Sequence, residues 1–286
     1  MDEKQRVGIT KKLKDYFEKR DDVVMAFLFG SFAKGQEIYD SDVDVAVYFK
    51  PKTKAIEWEE DNFYLEEDKI WRELENVLKR DVDLLILNRA PSRLASKILR
   101  AGIPIIIKDR SVYWRFFLLI GSVARDFQEF IRDYRRIRER SKSINKEDKE
   151  RLGSLLDFLE DEMQSYEEFK DFTQLIYQSD RTQKRSVERW VENVVLSSVD
   201  MAEIVLASQK VRAPDKYREI LKSLSFLNGF DKEIADKLGE FARLRNIITH
   251  EYLDIRWRQI QEFIKTSKPF YEYLIEFIKK NYLKHT

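Results

Sequence analysis

The 286-residue chain contains no cysteine. Disulfides, a thiolate nucleophile and a cysteine-based zinc site are therefore all excluded. Histidine is almost missing too: His250 and His285 are the only two, so imidazole chemistry away from the tail rests on one residue. Glycine is sparse, and only four of the eight glycines fall after residue 110. No apolar run approaches the ~18–20 residues of a membrane span. The opening Met-Asp-Glu-Lys-Gln-Arg lacks the apolar stretch of a secretory signal. The expectation is a soluble, cytoplasmic protein without a membrane partner. Neither charge sign dominates, with 53 Lys+Arg against 52 Asp+Glu. Locally the balance is −1 over residues 1–110, +4 over 111–145 and −2 over 146–286. Neither large segment is a generic polyanion binder, but the middle one can touch nucleic acid.

The chain changes character near residue 110. Before it, apolar β-rich runs (Val23 to Phe29, Val43 to Phe49, Asp81 to Leu87, Ile103 to Ile107) alternate with helical stretches at about 8–20, 61–79 and 91–101, a pattern that predicts a small α/β domain. After it, helical periodicity predicts helices at about 113–142, 146–177, 183–210, 215–224, 231–252 and 255–282, with Pro269 interrupting the last. The predicted division is 1–110 as the α/β domain, 111–145 as a basic helical connector and 146–286 as an all-α helical bundle.

The densest chemical signal is Gly30-Ser31 followed, after ten intervening residues, by Asp42-Val43-Asp44. Alternate residues of a strand share a face, so Asp42 and Asp44 point the same way. Two converging carboxylates repel unless a cation lies between them, and hard oxygen donors suit Mg²⁺. A Gly-Ser turn opening a helix offers free N–H groups to a phosphate. The combination implies phosphoryl or nucleotidyl transfer. It resembles the minimal nucleotidyltransferases of the polymerase-beta-like superfamily over nearly all of residues 20–110. The resemblance implies Asp42 and Asp44 as metal ligands and Gly30 and Ser31 as the grip on a nucleoside triphosphate. Asp83, in Val-Asp-Leu-Leu-Ile-Leu, is then the third carboxylate, binding one metal and helping to activate the acceptor. Asp81 has the same facing, so parity alone leaves that choice open. Lys34 is a further phosphate contact or a solvated helix lysine.

The helical half carries Arg243-Leu-Arg245-Asn-Ile-Ile-Thr-His250-Glu-Tyr252. Arginine and histidine are what metal-independent RNA cleavage requires, one steadying the phosphorane charge and the other moving the 2′-hydroxyl proton. On a straight helix residues 245 and 250 stand about 140° apart, so a shared site needs a helix end near Thr249 or a second subunit. Arg245-Asn-x-x-x-His250 resembles the signature of HEPN-domain ribonucleases, and Arg-x4-His-x-Tyr that of HepT toxins, over roughly residues 148–270. The looser HEPN spacing also admits Arg243; the Arg-Asn pair favours Arg245. In MntA–HepT toxin–antitoxin systems the nucleotidyltransferase adds AMP from ATP to that tyrosine and silences the ribonuclease. The resemblance therefore implies a fused pair in which Tyr252 is modified, with Mg²⁺ and ATP as cofactors, RNA (tRNA among the candidates) as a partner, and at least a homodimer through the HEPN domain. One chain fixes the ratio of the two activities at one to one, unlike separate genes.

Two other readings stand beside this. One is a small-molecule nucleotidyltransferase, similar to the aminoglycoside-modifying enzymes, with a helical substrate-binding half; the other makes the helical half a non-catalytic dimerisation module. Arg132 to Lys142, rich in arginine, is an RNA guide or a solvated connector helix. Trp190 and Trp257 read as core or dimer packing.

Overall fold

The computed structural model describes residues 3–34, 42–59, 62–140, 143–250 and 257–283; for 3–5, 34, 243 and 245–250 it describes the backbone alone. The chain forms two compact units, Met1–Arg125 and Asp126–Thr286. The division falls inside one long helix, so residues 111–145 are shared between the units.

In the first unit the order is α1 (Glu3–Phe17), β1 (Val23–Leu28), α2 (Gly30–Lys34), β2 (Val43–Phe49), α3 (Glu67–Leu78), β3 (Val82–Ile86), α4 (Ser92–Ala101), β4 (Ile103–Ile107) and the start of α5 (Arg110–Arg140). The strands lie in the order β3-β2-β1-β4, with β1 antiparallel to both neighbours and β2 parallel to β3. All six residues of β1 are buried, because both faces of the sheet are covered. Val43, Val45, Val47 and Phe49 join α1 and α3 on one face through Leu13, Phe17, Ile70 and Leu74. Ala46 and Tyr48 join α4 and the first half of α5 on the other through Ala95, Ile98, Phe116 and Ile120. Strand alternation thus sends Asp44 toward the α4 side, next to Ala46. Buried Asn88 extends the parallel ladder by accepting from the Phe49 N–H and donating to the Phe49 carbonyl. Pro104, which has no N–H to give, sits in the edge strand β4.

The second unit continues with the rest of α5, α6 (Lys146–Gln164), α7 (Tyr166–Phe169), α8 (Gln174–Ser179), α9 (Arg181–Ser208), α10 (Tyr217–Lys222), α11 (Lys232–His250), α12 (Trp257–Thr266) and α13 (Lys268–Ile278). Helix α9 runs through its core: every residue from Met201 to Ser208 is buried. A central helix of this kind is apolar all round rather than along one stripe. Its start is fixed by Asp180, which accepts from the Thr182 and Gln183 N–H groups, a strong N-cap.

The helix expected over 146–177 is in fact three. It stops at Ser165, where the Trp190 indole takes the Glu162 carbonyl at 2.7 Å, and Phe169 turns inward to lie 5.0 Å from the Trp190 ring. Thr173 then caps α8. The expected final helix also divides. Pro269 sits in the first turn of α13, the one helical place where its missing N–H costs nothing.

Candidate active sites

In the first unit, parallel pairing sets Asp44 directly against Asp83. Asp42 precedes β2 by one residue and is exposed, as is Asp83, whereas Asp44 is half-buried. The Val43 N–H donates to the Asp81 carbonyl at 2.9 Å, so Asp81 begins the ladder that puts Asp83 in register.

The Gly-Ser turn is attached to the same carboxylate. The Phe29 N–H donates to the Asp44 carbonyl at 2.9 Å, and the Ser31 N–H donates to the Asp44 side chain. Gly30 has φ +70°, and a β-carbon there would fall on the Asp44 carboxylate. Only glycine satisfies both conditions. Burial raises the pKa of Asp44, the charges of Asp83 and then Asp42 raise it further, and the Ser31 N–H opposes them. Among the described residues no three acidic or imidazole side chains close into a ligand cage. The donor set nonetheless fits a hard divalent cation, since Asp44 feels the charges of both Asp83 and Asp42 and a cation would relieve that repulsion. Lys34 carries no side-chain description.

Sequence reasoning missed one part of this neighbourhood. A cavity of about 160 Å³ lies beside the turn, lined by Phe29, Gly30, Ala33, Leu94, Lys97 and Ile98. No motif marks it, because α4 reads as an ordinary amphipathic helix and Lys97 as one of its solvated cations.

In the second unit, Arg243, Arg245 and His250 belong to the backbone of α11, and Tyr252 lies outside the described residues. What is defined is the base that carries them. Phe241 stands edge-on to Phe263 at 5.1 Å and stacks on Tyr271 at 6.1 Å, while Phe263 meets Trp190 at 5.5 Å. This aromatic cluster fixes α11 against α9, α12 and α13 just before Arg243. Trp257 is buried against Tyr177 and Phe172, so both tryptophans singled out from the sequence are core residues. In the basic stretch, Arg136 pairs with Asp133 at 3.3 Å and Arg140 with buried Asp148 at 3.2 Å. No described helix is long and apolar enough to cross a membrane.

Residues 11–111 match the family described as polymerase beta, nucleotidyltransferase, and residues 159–280 match the family described as ribonuclease HepT-like. No curated protein matches the chain. Similar solved structures include a toxin–antitoxin with AMP-PNP, at 20% identity and TM-score 0.35, covering 42% of this chain and 90% of its own. A tri-AMPylated Shewanella oneidensis HEPN toxin in complex with MNT antitoxin is 18% identical at TM-score 0.41, covering 46% of this chain and 97% of its own. The toxin–antitoxin MntA-HepT is 20% identical at TM-score 0.31, covering 45% and 91%. With one family matched in each unit, the chain joins a nucleotidyltransferase domain of the polymerase beta type to a ribonuclease HepT-like domain.

Proposed function

We propose that this chain is a self-regulating toxin–antitoxin fusion: its nucleotidyltransferase unit moves AMP from ATP to Tyr252, and the modification silences an endoribonuclease carried by Arg245 and His250. The observation that carries the transferase half is the Gly30-Ser31 turn bonded to Asp44, which faces Asp83 across two parallel strands. Asp42, Asp44 and Asp83 would hold Mg²⁺, which when bound neutralises triphosphate charge and acidifies a nearby hydroxyl.

The chain's own groups divide the remaining work. The Ser31 N–H is committed to Asp44, so its hydroxyl and the neighbouring backbone of the turn orient the triphosphate. The Tyr252 oxygen attacks the α-phosphorus, the bond to the β-phosphate oxygen breaks, and pyrophosphate leaves. Asp83 accepts the phenol proton. In the ribonuclease unit the His250 imidazole takes the proton of a ribose 2′-hydroxyl, whose oxygen attacks the adjacent phosphorus to give a 2′,3′-cyclic phosphate and expels the 5′-oxygen, which leaves as a hydroxyl on taking a proton from solvent. Arg245 steadies the pentavalent phosphate. AMP on Tyr252, seven residues beyond Arg245 in sequence, adds bulk and negative charge where an RNA phosphate must lie.

Intact mass before and after incubation with Mg-ATP tests this, beside Tyr252→Phe. Whole AMP increments that disappear in the variant are expected. No increment, on protein shown to start unmodified, would shift the assignment to a small-molecule acceptor.

A further inference from the structure

The second half of α5 lies in neither matched family segment: one ends at residue 111 and the other begins at 159. It is nevertheless built into the helical unit. Phe127, Phe130, Ile131, Tyr134 and Ile137 are buried in that unit's core, and Phe127 and Phe130 grip the Tyr217 ring at 5.0 and 5.6 Å. An apolar stripe at that spacing leaves the other positions outward, and Arg132, Arg135 and Arg138 are exposed.

The loop between α9 and α10 is tied to this helix at two points. The Tyr134 hydroxyl donates to the Val211 carbonyl at 3.1 Å, and the Lys210 ammonium donates to the Arg138 carbonyl. These bonds hold the 210–211 segment against α5 at Tyr134 and Arg138, and Arg212 is the next residue of that loop. Arg136 and Arg140 on the same helix have carboxylate partners. Among the described residues Arg132, Arg135, Arg138 and Arg212 make no ion pair. Glu139 projects about 100° around the helix from Arg138 and about 40° from Arg135, yet among the described residues it makes no ion pair with either. Unpaired guanidinium groups gathered from two segments repel one another, and a polyanion is the partner that reverses that penalty.

We infer that Arg135, Arg138, Lys210 and Arg212 form a phosphate-binding face for RNA, contributed jointly by α5 and the α9–α10 loop. The inference rests on the ribonuclease reading of this unit and adds the surface that holds the substrate's backbone. Guanidinium forks suit phosphate oxygens, and Arg135 and Arg138 stand about 4.5 Å apart along the helix, with the loop residues Lys210 and Arg212 extending the face. Contacts of this kind hold RNA of any sequence in place.

The test uses the full chain with a fluorescein-labelled single-stranded 2′-O-methyl RNA, which binds but cannot be cut, titrated at several salt concentrations. Arg135→Glu/Arg138→Glu/Arg212→Glu is expected to weaken binding at least tenfold at about 0.1 M salt. Its log–log salt slope should shrink by about 2, from ~0.7 per lost single-strand phosphate contact. Arg181→Glu/Lys184→Glu/Arg185→Glu, on the first turns of α9, carries the same charge change and should retain most affinity. Equal loss in both variants means general charge, not this face, and overturns the inference. Wild-type affinity and slope in the first variant, from a protein that cleaves unmodified RNA, overturn it while leaving the ribonuclease reading intact. A wild-type chain that neither binds nor cleaves RNA overturns both. All three arginines are exposed, so melting temperature should hold in the variant and separates lost contact from lost fold.

Discussion

Gly30 is held in place by two independent demands, and each fails with alanine. The left-handed backbone at φ +70° costs an L-residue roughly 1–2 kcal/mol, and the new β-carbon would land on the Asp44 carboxylate. Gly30→Ala is therefore expected to push Asp44 out of register with Asp83 and to lower the rate of AMP transfer about 100-fold or more, measured by pyrophosphate release. A variant that folds and transfers at the wild-type rate would show that Asp44 need not stay where the turn fixes it. Asp44 itself sits where its charge is disfavoured. Burial and the charges of Asp83 and Asp42 disfavour its ionised form, so Asp44→Asn should raise the melting temperature of the metal-free protein by about a degree or two while eliminating transfer. Asparagine still offers an oxygen to the Ser31 N–H, which keeps the turn closed. This acidic pair and the Gly-Ser turn were legible in the sequence because both are local spacings on a strand and a turn. The bond from Ser31 to Asp44 was not. It joins residues thirteen apart that meet only once β1 and β2 pair.

Elements were legible where one face of a segment is buried and illegible where tertiary contacts stop a helix early. The strands expected at Val23, Val43 and Ile103 appear within a residue of their expected ends. Nothing in the periodicity of 146–177 announces the break at Ser165, since it depends on an indole arriving from α9. The same helix packing hides a charged group. Glu203 on α9 is 1% exposed, with one oxygen 3.3 Å from the Arg151 guanidinium of α6 and the other without a hydrogen-bond partner. Burial pushes its pKa up to about 8 against the pull of Arg151, and Asp200 and Asp133 add to the rise. A carboxyl whose folded pKa exceeds its unfolded value of about 4.3 binds its proton more tightly in the folded state. Its contribution is thus complete below about pH 4.3 and is lost as pH rises through about 8. Glu203→Gln keeps a contact to Arg151 without the titration. Melting temperature measured from pH 5 to pH 9 should decline more in the wild type than in the variant, which should be the more stable of the two at pH 9. Parallel curves would mean that Glu203 is ionised throughout, held by Arg151 despite its burial.

At the scale of the whole molecule, the proposed function makes inhibitor and target inseparable, because both domains lie in one chain. Separate chains permit control by degrading one of them; a single chain ties the ribonuclease to one transferase unit at all times, so the active fraction must follow modification rather than relative abundance. That gives the proposed function a genetic signature. Asp44→Asn removes the transferase but leaves Arg245, His250 and Tyr252 untouched, and its expression should arrest growth with visible loss of cellular RNA. Adding His250→Ala to the same chain should restore growth, because the released activity is itself gone. His250→Ala alone should grow normally and still acquire AMP by intact mass. The four strains, wild type included, distinguish silencing by AMP from silencing by mere attachment of the two units. If the Asp44→Asn strain grows like wild type although its purified protein cuts RNA as wild type does when free of AMP, the transferase is not what restrains the ribonuclease. If the double variant is as toxic as Asp44→Asn, the harm comes from something other than His250, and the ribonuclease assignment fails with it.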